Sequence, residues 1–99
     1  MLLSIVIPSF NRREMLLDTV SRLEREIRWL PEIMATKLEF IVADNCSVDG
    51  TREAITRAAT VVVRYEYFNE HLDIAESIDR AVRLGNGRYI WIIGDDDYI

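Results

Sequence analysis

Three consecutive carboxylates, Asp95, Asp96 and Asp97, follow an apolar run, Tyr89-Ile90-Trp91-Ile92-Ile93, near the end of this 99-residue sequence. Side by side, such groups repel unless they are protonated or bridged, and a divalent cation is the simplest bridge at neutral pH. Ligation by oxygen alone points to Mg²⁺ or Mn²⁺. Hard ions of this kind commonly take one or two protein carboxylates and complete their shell with water and ligand phosphates, so a diphosphate partner fits. Asp is also a turn residue, and the triplet read alone is equally an acidic turn. Asp44 and Asp49, which the order of elements brings to the same edge, favour the metal.

Other chemistries lack their parts. No Gly-rich fingerprint follows the first apolar run, and nothing has the Gly-Lys-Ser or Gly-Lys-Thr ending of a P-loop, which counts against dehydrogenases and NTPases. A receiver or phosphatase-type site wants a carboxylate where this chain has Ser9 and Asn11. There is no catalytic triad; the single histidine, His71, sits between loop residues and reads as solvated. The formal net charge is -5, with Arg scattered among Glu and Asp, so nucleic acid is not an expected partner and a phosphorylated ligand needs a cation. Cys46 has no second thiol for a disulfide or a zinc site, which suits a reducing, cytoplasmic setting.

The elements that must position these groups follow from spacing. The length allows one modest core. No apolar run approaches the ~20 residues of a bilayer span. The N-terminus has no basic leader or small-residue cleavage site, so Leu2 to Pro8 reads as a buried first strand rather than a signal peptide. From Arg12, Leu16, Val20, Leu23, Ile27, Leu30 and Met34 recur at steps of four and three, one face of a helix that Pro31 should end or kink. Asp18 with Arg22 and Glu24 with Arg28 lie on its solvated side.

Leu38 to Ala43 is the second strand, followed by a short helix from Thr51 to about Ala59 that Asp49 is suited to cap. Thr60 to Phe68 is the third strand. Asp73 and Glu76 have capping-box spacing for a third helix, closed by Gly85-Asn86-Gly87. Tyr89 to Ile93 is a fourth strand, apolar at every position and therefore expected to be covered on both faces. The alternation predicts an α/β fold: an open, mostly parallel sheet of four strands with three helices and right-handed crossovers.

Ligands of such sheets bind beyond the carboxyl ends of the strands, where this chain places Ser9 and Asn11, then Asp44, then Asn69, then the acidic triplet. With strand order 3-2-1-4 the topological switch falls between strands one and four. The loop Pro8 to Asn11 would then face Asp95 to Asp97 across a crevice.

Three blocks now carry a resemblance: Ile5-Val6-Ile7-Pro8-Ser9-Phe10-Asn11, then Ala43-Asp44-Asn45-Cys46-Ser47-Val48-Asp49-Gly50-Thr51, then Gly87-Arg88-Tyr89-Ile90-Trp91 leading into Asp95-Asp96-Asp97. In this order, at strand ends and over nearly the whole chain, the sequence is similar to glycosyltransferase family 2. The resemblance implies the Rossmann-like half of a GT-A fold, binding a nucleotide diphosphate sugar, UDP- or dTDP-linked, for inverting, metal-dependent transfer to an acceptor hydroxyl in polysaccharide or glycan biosynthesis. It implies that Pro8, Ser9, Phe10 and Asn11 line the nucleotide pocket and that Asp44 accepts a hydrogen bond from the base, with Asn69 at the same edge. Asp95 or Asp96 would lie near the ribose, and Asp97, with Asp95, would hold the Mg²⁺ or Mn²⁺. The triplet matches the family's DXD element.

The sequence departs from the family pattern at Asp73 and at Ser77 or Asp79, where many members have Gly and Asn, and at Gly94, where many have Asp. In this family the general base lies well downstream of the acidic element. The chain is therefore expected to be the donor-binding piece of a longer enzyme, cytoplasmic or membrane-associated at full length, with a glycan or lipid-linked acceptor and no turnover by itself. Its fourth strand would be an exposed apolar edge inviting self-association. The alternatives are a sugar nucleotidyltransferase, whose Gly-rich basic loop Arg12-Arg13 echoes only faintly, and a non-catalytic nucleotide-binding or interaction module.

Overall fold

The computed structural model describes residues 2–29, 31–58 and 63–94. Its elements are β1 (Leu3–Ser9), α1 (Arg13–Ile27), α2 (Glu32–Ala35), β2 (Leu38–Asp44), α3 (Thr51–Ala58), β3 (Val63–Tyr67), α4 (Ile74–Val82) and β4 (Tyr89–Ile92). The four strands form one all-parallel sheet, as the alternation of elements predicts, and their order is the expected β3-β2-β1-β4.

β1 and β2 are central because their side chains are apolar on both faces: Val6, Ile7, Ile41 and Val42 are fully buried. Ile5, Ile7, Phe40 and Val42 pack on one side with Leu16, Val20 and Leu23 of α1 and Ile55 of α3. Val6, Ile41 and Ala43 pack on the other with Ala81 of α4. Each fully buried aliphatic side chain of this kind stabilises the fold by roughly 1.5–3 kcal/mol. The sheet is thus sandwiched, and its strand ends are held in fixed register: Ser9 pairs with Asp44, and Asp44 with Tyr67.

Two expectations need correction. The first helix ends ahead of Pro31, as expected, but a further short helix follows, making four among the described residues where three were expected: α1 stops at Ile27, and α2 starts after Pro31, whose backbone is extended at ψ 143°. Proline has no N–H for the preceding turn and disfavours helical backbone before it, which breaks the run. Met34 consequently leaves the buried face and is exposed. β4 is not covered on both faces either. Tyr89, Trp91 and Ile92 are 61%, 44% and 38% exposed, because among the described residues β4 is an edge strand paired with β1 alone. Ile93, just past it, is buried. The third strand begins at Val63 among the described residues; positions 60–62 of the expected strand lie outside them.

Candidate functional site

A cavity of about 860 Å³ opens at the carboxyl ends of β1, β2 and β4, walled on its far side by the 68–73 loop and α4. From the first strand it takes Pro8, Ser9 and Phe10, from the second Ala43 and Asn45, and from the fourth Ile92, Ile93 and Gly94. Asp95, Asp96 and Asp97 follow Gly94 directly in the sequence and lie outside the described residues. Among the described residues no three His, Cys, Asp or Glu side chains converge in a metal-holding group. The metal ligands expected at Asp95 and Asp97 thus fall outside the described residues.

Three other expected site residues, Asn11, Asp44 and Asn69, do not line the cavity. Asn11 adopts a left-handed backbone, φ 51°, which Asn tolerates better than most residues. Its N–H donates to Ser47 Oγ at 2.9 Å, and its Oδ1 accepts from the Val48 N–H at 2.8 Å, so it laces the β1 loop to the β2 loop. Asp44 is fully buried. Its Oδ1 accepts from the Ser47 N–H at 2.8 Å and its Oδ2 from the Tyr65 hydroxyl. Burial, then the hydrogen bond to Asp44 and its charge, push the Tyr65 phenol well above its ordinary value, so it remains a donor. The Asn69 side chain is exposed, and its carbonyl accepts from Cys46 Sγ at 3.5 Å.

Asp49 accepts from the Thr51 N–H at 3.1 Å and from the Arg13 N–H at 3.2 Å, tying the starts of α3 and α1 together. Burial raises its pKa, but these hydrogen bonds, led by that of the Thr51 hydroxyl, outweigh it and hold the carboxyl below its ordinary value. Asp73 caps α4 by accepting from the Glu76 N–H at 2.8 Å, as its spacing predicts. His71 is exposed, lines the cavity and packs its ring 4.3 Å from that of Phe10.

Sequence reasoning missed the group that organises the far wall. Asn45 donates Nδ2 to the Leu72 carbonyl at 2.8 Å and accepts the Leu72 N–H at 2.9 Å, clamping the loop to the end of β2. Arg80 then reaches back from α4. One terminal nitrogen donates to Asn45 Oδ1 at 2.8 Å, the other to the Glu70 carbonyl at 3.0 Å, and the guanidinium lies 3.8 Å over the Phe68 ring. Its Nε is buried with no acceptor, an arrangement that costs about 1–3 kcal/mol. Arg80 also pairs with no carboxylate among the described residues. Nothing local signals this group, because Asn45 and Arg80 are 35 residues apart.

The family model described as Glycosyl transferase family 2 matches residues 4–99. The chain is 31% identical over 100 residues to the abequosyltransferase RfbV of Salmonella typhimurium (strain LT2), covering 98% of this chain and 28% of that protein. It is 29% identical over 100 residues to TuaG of Bacillus subtilis (strain 168), provisionally named a teichuronic acid biosynthesis glycosyltransferase, covering 97% of this chain and 36% of that protein. The chain thus spans about a third of the curated relatives it matches. In fold it is similar to the mannosyltransferase PcManGT of Pyrobaculum calidifontis, solved with GDP-Man and Mn²⁺: TM-score 0.75, 22% identity, 95% of this chain and 27% of that one. It is equally similar to S. aureus TarS 1-349 solved with UDP-GlcNAc: TM-score 0.75, 20% identity, 100% of this chain and 28% of that one.

Proposed function

The chain belongs to glycosyl transferase family 2, and from that premise we propose that its cavity binds a nucleotide diphosphate sugar, UDP- or dTDP-linked, for inverting transfer to an acceptor hydroxyl in polysaccharide or glycan assembly. The observation that carries this reading is the position of the cavity. It opens at the carboxyl ends of β1 and β4, the two strands between which the order β3-β2-β1-β4 reverses, and open α/β sheets bind ligands at that point. Pro8, Ser9 and Phe10 form one wall, the Asn45 clamp and α4 another, and the acidic run begins where Gly94 leaves the cavity.

In this reading Asp95 and Asp97 hold Mg²⁺ or Mn²⁺ and Asp96 lies beside the sugar-nucleotide. A bound ion supplies Lewis-acid neutralisation of the diphosphate as it leaves, so no acidic side chain is needed for departure. Asp44, Asn11 and Asn69 shape the nucleotide end of the pocket; Asp44 contributes through the Ser47 and Tyr65 contacts that fix the β2 loop. That the relatives are named as a teichuronic acid biosynthesis glycosyltransferase and an abequosyltransferase, and that fold neighbours were solved with UDP-GlcNAc or GDP-Man, supports a nucleotide-sugar donor. We place the activity in the cytoplasm, where the single Cys46 suits a reducing setting. No helix among the described residues is long and apolar enough to cross a membrane.

The test is thermal stability of the chain with UDP, dTDP, GDP and CDP, each with and without Mn²⁺, for the wild type and Asp97→Asn. A shift that requires both nucleotide and metal and disappears in the variant is expected. No shift with any nucleotide overturns the reading and leaves an interaction module.

A further inference from the structure

We propose that Arg80 is the protein's own phosphate contact in this cavity, a donor-binding residue whose guanidinium takes an anionic oxygen of the nucleotide. The inference rests on the donor-binding reading and adds to it a residue that lies neither in the β1 loop nor in the acidic run.

The chain carries -5 overall, yet the cavity is lined by two arginines, Arg12 and Arg80, against one acidic side chain among the described residues, Asp73. The Asp73 carboxylate is turned to the start of α4, where it accepts from the Glu76 N–H. A guanidinium ordinarily recovers its desolvation by pairing with a carboxylate. Among the described residues Arg80 does not: its hydrogen bonds go to neutral oxygens, Asn45 Oδ1 and the Glu70 carbonyl, and its Nε has no acceptor.

Geometry supplies the second part. Stacking on Phe68 fixes the plane of the guanidinium, while Asn45 and Glu70 fix its rotation, so the group is held in place before any ligand arrives. Arg offers five N–H donors in a rigid fork, and two protein acceptors leave donors to spare. Nε itself is sealed behind the side chain, so the ligand oxygen meets a terminal nitrogen and the full positive charge with it. A preorganised cation in a mostly apolar wall, with no carboxylate partner among the described residues, is complementary to an anion that comes with the substrate.

The experiment is a ligand-observed NMR titration of the 99-residue chain at fixed Mg²⁺ with uridine, UMP and UDP, for the wild type, Arg80→Lys and Arg80→Gln. Wild type is expected to bind UDP more tightly than uridine, and Arg80→Gln to weaken UDP by about tenfold while leaving uridine unchanged. Arg80→Lys, which keeps the charge, should recover part of the loss. Salt should weaken wild-type UDP binding more steeply than that of Arg80→Gln. Equal losses for uridine and UDP would make Arg80 a base contact or a wall support and overturn the proposal, as would unchanged UDP binding in Arg80→Gln. Should Arg80→Gln fail to fold, the wild-type Arg80 side-chain N–H signals decide: a shift with UDP but not with uridine supports the contact, and no shift with UDP overturns it. Wild type that binds none of the three ligands sinks the donor-binding reading as well.

Discussion

The two ends of the sheet solve the same problem in opposite ways. At the amino ends Ser4, fully buried, donates to Glu39, and its oxygen accepts from the Gly87 N–H at 2.7 Å. Glu39 also accepts from the Asn86 N–H at 2.6 Å and lies 3.5 Å from Arg64, whose other terminal nitrogen donates to the Leu84 carbonyl at 3.0 Å. The cluster closes on itself. At the carboxyl ends the Asn45–Arg80 cluster is equally nonlocal but open: it holds a cation with no carboxylate partner among the described residues, an orphaned N–H and a cavity. Polar groups that serve only the fold find their partners within it.

The largest effect expected from breaking this contrast is at the closed end. A Cβ at Gly87 would stand 2.6 Å from the Ser4 nitrogen and 2.8 Å from the Leu3 carbonyl carbon, both backbone atoms that cannot swing aside. Gly87→Ala should therefore cost about 3 kcal/mol, the upper part of the overpacking range, measured by urea unfolding. Tyr65→Phe comes next, because it leaves the fully buried Asp44 Oδ2 without its donor. A loss of about 2 kcal/mol is expected, and one near zero would mean that Asp44 is free to turn to a ligand.

Glu39→Gln should cost less, about 1 kcal/mol at neutral pH, since Gln keeps an acceptor but loses the charge. Burial raises the Glu39 pKa, but the hydrogen bonds from Ser4 and Asn86 and the Arg64 charge outweigh it and hold the carboxyl below 4.5. With the folded value depressed, the stabilisation is present above the unfolded value and lost as pH falls through the folded one. The gap between wild type and variant should narrow as pH is lowered below about 4.5, followed by thermal unfolding against pH. The smallest effect belongs to the exposed Arg22–Asp18 pair at 3.0 Å, far from either cluster: Asp18→Asn should change stability by at most about 0.5 kcal/mol.

These particulars show where reading the sequence succeeds. Strand order and the edge that gathers polar residues follow from β-branched runs ending in Pro8-Ser9, in Asp44 and in Gly94, because the alternation of strand and helix leaves few topologies. Asp44 is legible as a strand-end carboxylate. Its burial is not, since it depends on β3 register, which sets Tyr65 opposite Val42 and two residues back from the Asp44 partner Tyr67. A run such as Tyr89 to Ile92, apolar at every position, has no period to say which neighbour covers it, and its edge position emerges only from the sheet. Arg80 reads as one more charge on a helix. Its place against Phe68 and Asn45 comes from packing alone.

Mapping amide shifts of the labelled chain as UDP and Mg²⁺ are added tests most directly whether the open end is the binding end. The expected result is a cluster of perturbed signals at Ser9, Phe10, Asn45, the 69–77 segment and the Arg80 side chain, with Ser4, Glu39, Asn86 and Gly87 unmoved. Perturbations centred on the Ser4–Glu39 cluster, or none at saturating UDP, would contradict the account.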